Sequence, residues 1–255
     1  MSKVNEARRR REEKLRATRV RQNLILASAV LSIALIMVGG YYLLRSDLWL
    51  LKTVSINGNK HVSAEKITKL AGLDDDTNLI RVAKDKIEAA IKEDPWIAEA
   101  VVTRDLPSRI EIVVTERVPF ARIKQKGKIY TLDKRGYVLE TGDDPRFDNI
   151  PVINEIEVGR LIVGKRTKSR LLRGSLRSLA GVAPKIRDKV IWISVPSLDK
   201  LAFHTSDDIE IIYGSAEGAG RKNMVIERIL ENSSGDIVHI NVTVPESPVV
   251  RKLQT

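Results

Sequence analysis

Cysteine is absent from the 255-residue chain, and aromatic residues make up only 4% of it. Without cysteine, the chain has no disulfide bonds, thiolate zinc sites, thiol nucleophiles or cysteine-linked lipids. It also lacks a G-x-S-x-G nucleophile elbow and an HExxH zinc motif, and its three histidines are far apart in sequence. The sequence therefore predicts no catalytic residue, no metal site and no cofactor.

Positive charge exceeds negative charge, and the excess is concentrated at the N-terminus. The net charge is +11, and residues 1–23 hold nine basic and three acidic residues, a net of +6. The other +5 is expected to be spread over the rest of the chain. A basic chain suggests nucleic-acid binding, but this tail has no aromatic residue with which to stack bases. No nucleic-acid partner is predicted.

An uncharged segment of 21 residues, Leu24 to Leu44, follows the basic tail. As a helix it would be about 31 Å long, close to the hydrocarbon thickness of a bilayer. A cleaved signal peptide has a shorter apolar region that ends in small residues, whereas this segment ends in Tyr-Tyr-Leu-Leu-Arg. A retained transmembrane helix is predicted. The nine basic residues before it outnumber Arg45 and Lys52 after it, which predicts a cytoplasmic N-terminus.

The order β-α-α-β-β is predicted for a first outer domain, residues 51–119. Strand patterns cover residues 51–57, 97–104 and 109–116. Ser63 and Gly72 are suited to cap the first helix, and a second helical pattern runs over residues 82–92.

A second outer domain, residues 120–245, is predicted to be a mainly antiparallel sheet with packed helices, so the fold class is α+β. Helical patterns run from Ser169 to Ala180 and from Gly220 to Glu231. Pro245 and Pro248 predict an irregular end, and residues 246–255 are expected to be a flexible tail. The predicted strands are residues 121–124, 128–132, 137–140, 190–195, 201–204, 209–212 and 237–244.

Five short motifs behind the apolar segment, together with this domain order, resemble the FtsQ/DivIB family of bacterial cell-division proteins. That family has a basic cytoplasmic tail, one membrane span, a POTRA domain and a β domain. The resemblance covers roughly residues 51–250. The matching motifs are Val54–Asn59, Pro95–Ile97 with Ala100–Arg104, Leu106–Pro107, Thr115–Pro119 and Leu132–Gly136.

The resemblance implies a scaffold rather than an enzyme. Members of the family bind small coiled-coil proteins of the FtsB/DivIC and FtsL types, and the complex helps to control septal peptidoglycan synthesis. In the family, the partner adds a strand beside the last strand of the β domain. Here the corresponding stretch is Ile237 to Val244 and the residues just beyond it.

An edge strand has unpaired N–H and C=O groups that can hold a partner strand, while alternate side chains provide specificity. Val238, Ile240, Val242 and Val244 are expected on one face of residues 237–244, with His239, Asn241 and Thr243 on the other. The predicted partner-binding residues are those four apolar residues with Asn241 and Thr243. At the boundary of the two outer domains, a junction contact is predicted for Glu116, Arg117 and Pro119.

Two other functions remain open from the sequence. One is a membrane-anchored cell-wall enzyme, and the other is an anchored POTRA protein of envelope transport. The glycine-rich stretch 213–222 lies where a phosphate-binding loop would sit, but Gly220 is followed by Arg-Lys-Asn rather than by Lys and Ser or Thr. Nucleotide binding is therefore not predicted.

Overall fold

The computed structural model describes residues 24–154, 156–232 and 237–253. The predicted basic tail, residues 1–23, and the last two residues of the predicted C-terminal tail lie outside the described residues. The described chain divides into two compact units. One comprises residues 24–55, 73–83 and 103–111, and the other comprises residues 56–72, 84–102 and 112–253.

The first unit begins with helix α1, Leu24–Leu44, which is long and apolar enough to cross a membrane once. Hydrogen bonds hold the residues at its C-terminal end. The indole Nε1 of Trp49 donates to the carbonyl of Leu43 at 2.7 Å, and the amide of Asn78 donates to that of Leu44 at 3.2 Å. The end of α1 is therefore fixed within its own unit.

The predicted β-α-α-β-β order is confirmed. A three-stranded sheet has the order β1-β3-β2. Its elements are β1 (Thr53–Asn57), α2 (Ala64–Ala71), α3 (Lys84–Ile91), β2 (Ile97–Asp105) and β3 (Arg109–Glu116).

Local chemistry determines where α2 begins and ends. The Ser63 hydroxyl accepts a hydrogen bond from the Lys66 amide, and Gly72 ends the helix in the left-handed conformation, with φ of 62°. Both caps are as predicted. Gly58 is required for a different reason, since a Cβ there would lie 2.1 Å from the carbonyl oxygen of Val114.

A nine-stranded sheet forms most of the second unit, in the order β12-β11-β10-β9-β8-β7-β4-β5-β6. Five of its strand pairs are antiparallel and three are parallel, so the sheet is mixed but mainly antiparallel. The strands are β4 (Pro119–Gln125), β5 (Lys128–Asp133), β6 (Val138–Thr141), β7 (Val152–Asn154), β8 (Val190–Ser194), β9 (Ala202–Thr205), β10 (Glu210–Ile212), β11 (Ile237–Asn241) and β12 (Val249–Lys252).

Three helices accompany this sheet: α4 (Arg170–Gly181), α5 (Pro184–Arg187) and α6 (Ala219–Glu231). The apolar side chains of α4 and α6 join those of the sheet in one core, because their apolar residues recur at helical spacing on one face. Fully buried members of this core include Leu172, Leu176, Leu179, Ile226, Ile123, Ile193, Phe203 and Ile240.

The sequence did not predict β7, α5 and β12. The prediction of an irregular end after Val244 is wrong, because residues 249–252 form β12 and pair with β11. The predicted strand 237–244 is also too long, since β11 ends at Asn241. Pro245 and Pro248 interrupt the extended chain only between the two strands, where a turn requires no ladder hydrogen bond.

Candidate functional site

The end of the large sheet is formed by β12, not by β11 as the sequence predicted. Strand β11 pairs in parallel with β10 on one side and antiparallel with β12 on the other, where Ile240 lies opposite Val250. All four residues of β12 are exposed. The prediction that residues 237–244 form the edge strand is therefore wrong, because the chain returns after Asn241 to add one further strand.

Two of the predicted partner-binding residues belong to the core. Ile240 and Val242 are both 0% exposed, and the Val242 amide donates to the carbonyl of Ile212 at 3.0 Å. Their side chains stabilise the sheet, and neither is accessible to a partner.

The predicted alternation of faces fails at Val238. The register shifts between Ile237 and His239, which indicates a β-bulge. An extra residue in one strand moves the following side chains to the opposite face. As a result Ile237 and Ile240 are both buried, and Val238 is only half-buried.

The remaining predicted residues lie at the turn between β11 and β12. The side-chain oxygen of Asn241 accepts from the amide of Thr243 at 3.0 Å and from its hydroxyl at 2.7 Å. Val244 is 57% exposed, so it is the one predicted apolar residue with an accessible side chain. The turn also contacts α6 through an ion pair between Glu246 and Arg221. The hydrogen bond from Arg221 is the main cause that lowers the pKa of Glu246.

A row of polar and aromatic side chains crosses the sheet towards β12, and no sequence motif indicates it. Register places Trp192, His204, Glu210, His239 and Arg251 on successive strands from β8 to β12. The rings of Trp192 and His204 are stacked with centroids 3.4 Å apart, and a His239 ring nitrogen lies 2.9 Å from the Glu210 carboxylate. Only the strand order, which sequence cannot supply, brings these residues together.

The predicted junction residue Glu116 binds a turn within the POTRA-like region. Its carboxylate accepts hydrogen bonds from the backbone amides of Lys60, His61 and Val62 at 2.8–3.0 Å. Burial raises the pKa of Glu116, but these three amides and the nearby His61 outweigh it, so the pKa is lowered overall. The ionised carboxylate of Glu116 thus provides the hydrogen-bond acceptor for three backbone N–H groups.

Arg117, the next residue, contacts the β-domain side of the predicted boundary. Its guanidinium lies 3.0 Å from the carboxylate of Asp133 and 3.7 Å from the ring centroid of Tyr137. The other Asp133 oxygen accepts from the amides of Arg135 and Tyr137 at 2.9 and 2.8 Å. Two motifs that carried the family resemblance, Thr115–Pro119 and Leu132–Gly136, therefore meet here.

Pro119, the third predicted junction residue, is the first residue of β4 and lies opposite Asp133 in the ladder. Beside it, the Arg117 amide donates to the carbonyl of Trp96 at 2.7 Å. The sequence missed the contacts of Trp96, whose ring stacks on His61 at 3.6 Å and lies 5.9 Å from Phe147. Hydrogen bonds and aromatic contacts thus surround Arg117 and Pro119, which stay predicted junction residues.

Features that could suggest an enzyme have structural roles. In the glycine-rich stretch 213–222, Lys222 is 4% exposed and donates to the carbonyls of Tyr213 and Ser215, both at 2.9 Å. Burial lowers the pKa of Lys222 and raises that of Tyr213 to about 12. The Lys222 ammonium group is thus engaged by two backbone carbonyls of the same stretch. Within residues 24–154, 156–232 and 237–253, no group of three potential metal ligands is present.

Comparison with known proteins gives one family and several relatives. Residues 50–117 match the family described as "POTRA domain, FtsQ-type". "Cell division protein DivIB" of Staphylococcus aureus is 28% identical over 163 residues, which cover 62% of this chain and 34% of that protein. "Cell division protein FtsQ" of Syntrophotalea carbinolica is 31% identical over 157 residues, 60% of this chain and 54% of that protein.

A third relative, "Cell division protein DivIB" of Clostridium tetani, is 24% identical over 207 residues, which cover 78% of each protein. The chain spans between a third and just over a half of the length of the first two relatives. With a POTRA domain of the FtsQ type behind one apolar helix, the chain is a homologue of the FtsQ/DivIB cell-division proteins.

Proposed function

We propose that this chain is a non-catalytic, single-span scaffold of the bacterial division machinery. Its relatives carry the name cell division protein, and α1 is suited to anchor it in a membrane. The nine basic residues of the N-terminal tail support a cytoplasmic N-terminus and an outer location for everything after α1. In this proposal the protein acts at the division septum.

The proposed partners are division proteins of the FtsB/DivIC and FtsL types, and through them the machinery of septal peptidoglycan synthesis. The observation that supports a binding role is the free edge of β12. Half of the backbone N–H and C=O groups of an edge strand point away from the sheet and can pair with an added strand. The edge is short, with four residues, and all four are exposed.

The proposed binding site therefore lies one strand further along the chain than the sequence suggested. A partner strand pairs with the outer edge of β12, and Val249 and Val250, which are 58% and 38% exposed, provide apolar contacts. Val244 and Leu253, 57% and 63% exposed, extend this apolar surface at either end. Asn241 lies opposite Val249 in the ladder and holds Thr243 in the turn, so these two residues position β12, and Val238 lies in the bulge of β11.

Proline substitutions in β12 test this proposal. Neighbouring residues of a strand direct their N–H groups to opposite sides, so one of Val250→Pro and Arg251→Pro removes an outward donor and the other removes a donor to β11. With the full chain in nanodiscs, we expect both variants to bind the outer segments of the partner proteins at least about tenfold more weakly. Wild-type affinity in both variants, with unchanged thermal unfolding, would contradict strand addition.

A truncation distinguishes addition beside β12 from replacement of β12. Ending the chain after Ser247 removes the strand and exposes the edge of β11. Addition beside β12 predicts that binding is lost. Equal or tighter binding by the truncated chain would show that the partner instead pairs with β11, and would overturn the proposed site.

A further inference from the structure

Seven basic residues within residues 160–177 form the most strongly charged surface among the described residues. This stretch contains no acidic residue, so it carries +7, more than the net +5 of the whole chain after the basic tail. The positive charge after the basic tail is therefore concentrated in this stretch, and the rest of that region carries a net negative charge. The basic residues are Arg160, Lys165, Arg166, Lys168, Arg170, Arg173 and Arg177, named here the cationic stripe.

No residue of the cationic stripe forms an ion pair with the described carboxylates. Six of the seven are exposed, and only Arg173 is half-buried. Unpaired like charges this close in sequence repel one another, so the fold alone gains nothing from their accumulation. A ligand of opposite charge would remove that repulsion.

The stripe is built on a fixed framework. The loop before α4 is bound to the β5–β6 region, where the Thr167 amide donates to the carbonyl of Gly136 and the Gly164 amide to that of Val138, both at 2.8 Å. The guanidinium of Arg173 donates to the carbonyl of Thr167 at 3.1 Å. Because the backbone and the Arg173 guanidinium are held in this way, part of the ordering that a ligand requires is present before it binds, which lowers the entropic cost of binding.

The pocket and the helix that carry these cations adjoin, because the pocket lining reaches Ser169, the residue that caps α4. Four of the cations, Arg160, Lys165, Arg166 and Lys168, line a pocket of about 540 Å³. From there the stripe continues along α4, where residues 170, 173 and 177 share one helix face and extend over about 10 Å of the helix axis. The opposite face of α4 is in the core. A ligand with successive negative charges along a chain would contact the pocket and the helix together.

Five of the seven cations are arginines, and the planar guanidinium group suits the bidentate recognition of phosphate oxygens. We propose that the cationic stripe binds a linear phosphodiester polymer of the cell envelope. That the polymer belongs to the envelope depends on the outer orientation proposed above, whereas the phosphate chemistry does not. The contact would hold the outer part of this chain against an anionic polymer of the wall.

The site can be located without any substitution. The full chain in nanodiscs of zwitterionic lipid is treated with an amine-acylating reagent, with and without synthetic poly(glycerol phosphate), and the modified lysines are identified by mass spectrometry. We expect protection of Lys165 and Lys168, but not of Lys124, Lys126 and Lys128 on the β4–β5 hairpin, which are exposed as well. Protection of the hairpin lysines alone would overturn the assignment.

Matched variants then measure the contribution of charge. Lys168→Gln, Arg170→Gln and Arg177→Gln together remove three cations of the stripe, and Lys124→Gln, Lys126→Gln and Lys128→Gln together remove three from the hairpin. We expect affinity to fall about tenfold or more in the first triple variant and to change less than about twofold in the second. An equal loss in both triple variants would contradict a defined site.

Two further ligands test the chemistry. Hyaluronate offers a linear chain of carboxylates, and vesicles of phosphatidylcholine with phosphatidylglycerol offer phosphates on a lipid surface. Protection of Lys165 and Lys168 by the phosphate polymer alone supports the proposal. Equal protection by hyaluronate would refute phosphate recognition, and protection by vesicles alone would assign the stripe to the membrane surface. These measurements use purified protein and do not depend on membrane orientation. A negative result would therefore refute phosphate binding without bearing on the proposed orientation.

Discussion

At the scale of single residues, Glu116 shows how one carboxylate fixes the end of β3. It accepts hydrogen bonds from three successive backbone amides, residues 60–62, and its pKa is lowered. Hydrogen bonds to a charged group each contribute about 1.5–3 kcal/mol when shielded from water. The side chain therefore connects the turn after β1 to the end of β3, next to the contact between Arg117 and Asp133.

Replacing Glu116 by Gln is expected to lower the free energy of unfolding by about 1–2 kcal/mol at pH 7, because a neutral amide provides a single, weaker acceptor. Since the pKa of Glu116 is lower in the folded chain than its ordinary value of 4.5, the carboxylate stabilises the fold above that value. This contribution is lost as the pH falls through the lowered pKa. Thermal unfolding of both proteins at neutral and acidic pH measures the difference.

The control for this prediction is Glu99→Gln, because Glu99 is exposed and forms no ion pair with the described residues. The substitution Glu99→Gln is expected to change the free energy of unfolding by less than about 0.5 kcal/mol. The difference in free energy of unfolding between wild type and Glu116→Gln should become smaller in acid. If it does not, the three amides do not stabilise the charged form of Glu116.

At the scale of secondary-structure elements, β12 is the end strand of the sheet and the proposed binding edge, and β11 pairs with it from the inner side. Val242 and Val244 are two residues apart but differ in burial, since Val242 is 0% and Val244 is 57% exposed. Substituting each by lysine therefore tests which part of residues 242–244 belongs to the core. Val242→Lys places a charge in the core and is expected to lower the free energy of unfolding by about 3 kcal/mol or more. Val244→Lys is expected to change it by less than about 0.5 kcal/mol.

Thermal unfolding of the two lysine variants measures this difference, with wild type as reference. Comparable stability of both variants would mean that residues 242–244 continue β11 as an accessible strand, as the sequence suggested. In that case Val242 would again be a candidate for direct partner contact.

The first outer domain was predictable because its sequence carries strong local signals. Strands β7 and β12 were not predicted because their local signals are weak. Ser63 and Gly72 cap α2 as expected because capping depends on a few neighbouring residues. Strand β7 directly follows Pro151 and β12 directly follows Pro248, and a proline beside a short apolar run argues against a strand in a prediction from sequence. The bulge at Val238 shifted the buried face of β11, and no residue type in the sequence marks it.

The candidate site was predictable to within one strand. The sequence placed it at the C-terminal end of the β domain but assigned the edge to β11, since strand order is a property of tertiary pairing. The row from Trp192 to Arg251 crosses five strands and could not be found without that order.

At the scale of the whole molecule, the proposed orientation places the N-terminal tail and the large sheet on opposite sides of the membrane. The absence of cysteine allows a direct test, because a single introduced cysteine is the sole reactive thiol. With an impermeant maleimide on intact cells, Lys128→Cys is expected to be labelled and Ser2→Cys is expected to require permeabilisation. The opposite pattern would reverse the proposed orientation.

The central claim is that a partner strand pairs with β12. Hydrogen exchange of backbone amides tests it most directly, because an added strand protects the edge amides that were open to water. When partner segments are added to the full chain, the account predicts slower exchange in Val249–Lys252 and no change in β6, Val138–Thr141, at the other end of the sheet. Unchanged exchange in β12 at saturating partner would contradict the account.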